Sequence, residues 1–243
     1  MMIASLPRRM NRVSPSRSRQ LAYKENPRNL PFGPRARAFG AIGKFWTPGR
    51  TLQLSFLTEA DEALKDAIFA LGRQWIDLCG ANLALERVDD HNTEAEIRII
   101  CAPKAYMNYS EAGTDALDGV PDTMSLCLVP GHELFEFTVL HEFGHAFGAD
   151  HEHQHPDADI PWDVPAAISY YACELSGDEA LVMREVLDKR PSADDVLKTE
   201  YDPTSVMHYP VPPSVTLGDW EVGINATLSE KDLAFMRLAY PHG

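Results

Sequence analysis

Residues 141–151 read His-Glu-Phe-Gly-His-Ala-Phe-Gly-Ala-Asp-His, and no other stretch restricts what this chain can fold into as strongly. On a helix, residues four apart share a face, so His141 and His145 aim two imidazoles at one point. Glu142 stands beside that point. Gly148 can take the positive φ that ends a helix and turns the chain, which lets His151 return as a third ligand. Three neutral nitrogens and an open fourth position for water predict a catalytic zinc ion rather than a structural one. Glu142 is then the base that takes a proton from that water.

The flanking patterns predict a sheet backed by a helix ahead of the motif. Residues 51–57 alternate as a strand, and 59–78 carry Leu64, Ile68, Leu71, Trp75 and Leu78 on one side of a helix. Short strands are expected at 83–88 and 96–101, then an irregular polar loop over 103–122. A last strand at 123–129 is expected to form the sheet edge beside the cleft, where an extended peptide can add through main-chain hydrogen bonds. The motif helix is expected to begin near Glu133 and to bury Phe137, Leu140, Phe143 and Phe147 on one flank. After His151 helices are expected at 164–174, 178–189 and 229–240, the last opening on a capping-box-like Ser229-Glu230-Lys231-Asp232.

Charge divides the chain. Residues 1–50 hold eleven Lys or Arg and one acid, Glu25, whereas the rest hold eleven Lys or Arg and thirty-five acids. Residues 1–43 therefore read as a basic extension, either flexible or a prosegment lying on the acidic domain 44–243. Within that domain, 44–151 form an upper subdomain and 152–243 a lower one. A domain so acidic excludes nucleic acid and anionic membranes as partners of the catalytic part. No run of eighteen apolar residues exists to span a membrane, and the first residues show no secretory signal, so localisation stays open between the cytoplasm and export by a non-general route.

The extended motif followed directly by Glu152, together with Ser205-Val206-Met207-His208-Tyr209, resembles the metzincin zinc endopeptidases and within them the astacin family. The resemblance covers roughly residues 44–241 and implies an α+β, metzincin-like fold: a twisted mixed β-sheet with a backing helix and an active-site helix above, helices and loops below, and the zinc cleft between. It implies that His141, His145 and His151 bind one zinc ion, that Glu142 is general base and acid, and that Met207 lies under the metal. Tyr209 is implied as a further ligand that swings away to hold the oxyanion, in preference to its neighbour His208. Glu152 is implied to meet the amino terminus left by prosegment removal, for which cleavage after Arg35 or Arg37 would serve. Family prosegments plug the zinc with an aspartate. This arm has none, and its Pro31-Phe32-Gly33-Pro34-Arg35 is a partial echo of that plug, which leaves Glu25 or steric cover.

The implied partner is a protein or peptide bound as an extended strand. The same constellation also allows a zinc hydrolase of another amide, or a peptide-binding module without turnover. The four cysteines depart from the family pattern and allow either a Cys101–Cys127 bridge or free thiols at Cys79, Cys101, Cys127 and Cys173. His153 and His155 read as a solvated turn, and Asp115, Asp118 and Asp122 as a solvated acidic loop rather than a calcium site. Tyr106 and Tyr109 can line the far side of the cleft. Between His208 and Lys231 stands no Lys or Arg, so no acidic side chain is favoured just beyond the scissile bond.

Overall fold

The computed structural model describes residues 7–10, 12–29, 43–101, 107–172, 175, 177–190 and 199–243. Tyr106, Cys173 and the segment containing Arg35 and Arg37 lie outside them. The chain opens with strand β1 (Arg8–Met10) and helix α1 (Pro15–Glu25), which starts where Ser14 caps the Arg17 N–H and Pro15 supplies a helical φ. Then come β2 (Thr51–Phe56), α2 (Glu62–Asp77), β3 (Ala84–Arg87), β4 (Ile97–Cys101), β5 (Tyr109–Glu111) and β6 (Met124–Leu126). After the sheet come α3 (Phe135–Ala146), α4 (Val164–Ala172), α5 (Glu179–Val182) and α6 (Glu230–Ala239).

The sheet runs in the order β1-β5-β6-β4-β2-β3, parallel at every contact except β5 against β6. Two expectations change here. The polar loop ahead of β6 contains β5 and a short 3-10 turn, Gly113–Leu117. Consequently β6 is an interior strand, and β5 is the domain's edge. The sequence Tyr109-Ser110-Glu111 hides this strand because all three residues are buried although two are polar. Arg98 explains how so polar a loop can be held: its buried guanidinium donates to the carbonyls of Ala95, Ala116, Val120 and Pro121.

One core joins sheet, α2, α3 and α6, with Trp46, Trp75, Phe143, Phe147, Met207 and Tyr240 packed together. Leu78, expected on the buried side of α2, is exposed beyond the helix end. A second cluster lies below, around Tyr171, Val182, Val211 and Tyr209. No described helix is long and apolar enough to cross a membrane.

The arm is docked. Residues 8–10 extend the sheet at β5, Arg17 pairs with Asp118, Ser18 donates to Asp115, and Glu25 pairs with Arg50. Opposite charge brings the two parts together, as their composition predicts. Asp115, expected in water, is buried between Ser18 and Lys44, and Asp118 and Asp122 meet Arg17 and Arg12. The acidic loop is therefore a seat for the arm. Glu25, committed to Arg50 and Thr47, is placed as an arm anchor.

Candidate metal centre

Helix α3 is buried along nearly its whole length, and three aromatic donors fix its backbone. Trp75 donates its indole N–H to the Leu140 carbonyl at 2.9 Å, Trp46 to Ala146 at 2.9 Å, and the Tyr240 hydroxyl to Phe147 at 2.7 Å. The latter two satisfy carbonyls that a helix end leaves without partners. Gly148 then turns the chain at φ 91°, with the Phe45 ring where a Cβ would stand.

This turn brings His151 back. Ring nitrogens of His141, His145 and His151 all lie within 4.8 Å of one another, and all three residues are buried. His141 Nδ1 lies 2.9 Å from the Val206 carbonyl, and His145 Nδ1 lies 3.0 Å from that of Ala149. Donation to those carbonyls fixes the tautomer and leaves each Nε2 lone pair facing inward. His145 Nε2 and His151 Nε2 are 3.0 Å apart, while His141 Nε2 is buried without a hydrogen-bond partner. Burial, then the neighbouring histidines, hold His141 and His151 well below the usual imidazole range, so their neutral, ligating forms persist at pH 7. Three inward-facing ring nitrogens so placed fit a zinc ion with one position open. Glu142, next in sequence to the first ligand, is fully buried in the same helix turn.

The turn at 205–209 lies beneath. Met207 Sδ sits against Gly144, where a Cβ would run into it and into the Trp75 ring, so glycine permits the close approach. The Met207 carbonyl accepts from the Glu152 N–H at 3.0 Å, tying turn and motif together. Asp232 holds the turn from α6: its carboxylate accepts from Ser205 Oγ at 2.6 Å and from Val206 N–H at 3.0 Å, besides closing its own capping box with Ser229. Sequence reasoning found Asp232 as a cap and missed its second duty.

Tyr209 packs on this cluster, its ring 4.6 Å from that of His151 and stacked at 4.3 Å on His153. Its hydroxyl donates to the Pro7 carbonyl at 2.5 Å. His208 is turned elsewhere: its Nδ1 donates to the Tyr209 carbonyl and its Nε2 accepts from Tyr201, with burial pushing it down to about 4. Glu152 is buried, accepts from Asp202 N–H at 2.8 Å, and lines a narrow cavity with Asp202, Lys231 and Asp232. Burial raises its carboxyl well above the usual range.

One further expectation needs correction. His153 and His155 are buried, each holding a backbone carbonyl, Glu185 and Thr199 respectively, and neither joins the metal-binding group among the described residues. Their partners lie more than thirty residues away, where local sequence gives no sign of burial. Cys79, Cys101 and Cys127 are free thiols. Tyr109 lies in β5 with its hydroxyl donating to Asp122.

An inward triad of histidines on a helix and its turn, under a mixed sheet, is the site of a zinc-dependent endopeptidase. Within that class the chain is astacin-like. No family model matches it, and no curated protein does. Solved structures do. One of myroilysin is 28% identical, covering 84% of this chain and 98% of its own, with a TM-score of 0.75. A second myroilysin structure gives 26% identity, 89% and 96% coverage, and a TM-score of 0.57. High choriolytic enzyme 1, a hatching enzyme zinc-protease from Oryzias latipes (Medaka fish), shares the fold at 17% identity, with 84% and 94% coverage and a TM-score of 0.55.

Proposed function

We propose that this chain is a latent endopeptidase in which His141, His145 and His151 hold one zinc ion and residues 7–29 cover the cleft. The convergence of three buried ring nitrogens within 4.8 Å carries the reading. Zinc bound there supplies the Lewis acid that polarises a peptide carbonyl and acidifies water. Glu142 takes the water's proton and passes it to the leaving amine. The Tyr209 hydroxyl donates to the substrate carbonyl oxygen as negative charge develops on it. In the present state that hydroxyl is spent on Pro7, a peptide carbonyl of the chain's own arm. Met207 and Gly148 shape the floor and the return of the third ligand, and Glu152 awaits the amino terminus left by arm removal.

The substrate adds to β5 as an extended strand, using the edge that β1 now occupies. Domain and arm divide in function near residue 43, with cleavage beyond Arg35 or Arg37 as the releasing step. The segment after Tyr209 offers the exposed Leu217 and Ile224 but no cation before Lys231. Cleavage of a random peptide library by the arm-cut chain is expected to give sites without Asp or Glu enriched just after the scissile bond. Acid-dominated sites would overturn that specificity, and an uncut library the function itself.

A further inference from the structure

Arg12 lies in a site that the domain builds from its own residues. Its Nε donates to Glu111 Oε1 at 2.5 Å, one Nη donates to the Asp122 carbonyl at 2.6 Å, and both Nη atoms lie 3.3 Å from Asp122 Oδ2. The guanidinium carbon is 5.3 Å from the centroid of the Tyr109 ring. Glu111 is buried, and its second oxygen has no hydrogen-bond partner among the described residues. Tyr109 donates its hydroxyl to Asp122, and Arg98 pins the loop behind it through the Ala116, Val120 and Pro121 carbonyls. The acceptors are thus set by residues outside the arm. Fork-shaped donors facing two carboxylates and a carbonyl suit a guanidinium; a point-charge ammonium satisfies fewer of them.

The site also lies on the substrate's path. Pro7 meets Tyr209 at the metal centre, residues 8–10 run along β5 with Met10 opposite Glu111, and Arg12 follows. We propose that, once the arm leaves, Glu111, Asp122 and Tyr109 receive an arginine side chain of the substrate and select for it. This rests on the endopeptidase reading above and names a substrate class for it. Antiparallel pairing with β5 gives the more stable ladder and runs opposite to the arm, so the selected arginine stands upstream of the scissile bond. At about 3.3 Å per extended residue, the path from Tyr209 places it roughly four to six residues away. The arm's Arg12 then competes with substrate for the same acceptors.

Two measurements test this. In the full chain carrying Arg12→Ala, N-acetyl-arginine amide is expected to bind at millimolar concentration by NMR titration. The wild type, whose site is filled, and the Arg12→Ala, Glu111→Gln double variant are expected not to bind it. In the zinc-loaded full chain, cut after folding at a protease site inserted within 35–42, paired peptides with arginine or citrulline upstream are compared. The kcat/KM ratio is expected to favour arginine by about 10–100-fold and to fall toward one in Glu111→Gln. A ratio near one in the wild type, or amide binding indifferent to Glu111→Gln, would overturn the assignment. Failure to cut either peptide while the amide still binds would refute the endopeptidase reading and with it the site's role in substrate choice, leaving only an arm-binding site.

Discussion

Glu142→Gln is expected to lower kcat on a peptide substrate by about 10²–10⁴-fold, with KM little changed and zinc content still one per chain. The amide fills the space of the carboxylate but accepts no proton, so water loses its base and the leaving amine its acid. Zinc stays because the ring nitrogens that would hold it come from His141, His145 and His151, two of them oriented by the Val206 and Ala149 carbonyls rather than by Glu142. Metal analysis beside steady-state kinetics checks both halves. A variant that keeps its zinc and its rate would move the base elsewhere; one that loses both would make Glu142 a structural part of the metal centre.

Release of the arm is expected to raise kcat/KM by on the order of 100-fold or more. The arm closes the domain's edge with β1, engages the Tyr209 hydroxyl through Pro7, and is fastened by Arg12, Arg17 and Ser18 to Glu111, Asp118, Asp122 and Asp115. Two charge-assisted contacts at about 1.5 kcal/mol each already favour the covered state by roughly 100-fold. The comparison is the intact chain against the same chain cut within 30–42, with activity followed before and after separation of the fragment. Equal rates in the intact and cut chains would show that the arm does not block the cleft. Because part of the attachment is electrostatic and partly exposed, raising salt before separation is expected to weaken it.

The metal centre was legible because its geometry is local. A spacing of four on a helix and a glycine three residues on determine where the rings go, whatever surrounds them, and the positive φ at Gly148 is the turn that spacing demands. Tyr209 is different. Its place by the rings, which the family resemblance implied, depends on the Ser205–Tyr209 turn being held under α3 by Asp232, a contact across 27 residues that nothing in the sequence announced. The edge strand was misplaced by one because β5 is three residues long and buries polar groups, so it lacks the alternation that marks a strand. Asp115, Asp118 and Asp122 read as solvated because their cationic and hydroxyl partners stand about a hundred residues earlier in the chain. Net charge announced that arm and domain attract, but only the fold brings Pro7 to Tyr209 and Arg12 to Glu111.

The most direct test of the central claim is peptide hydrolysis by the arm-cut chain before chelation, after chelation, and after zinc is returned in measured amounts. Activity is expected to vanish with the metal and to return in proportion to added zinc, levelling at one ion per chain. Hydrolysis that persists in the zinc-free protein, or its absence from the fully loaded one, would contradict the account.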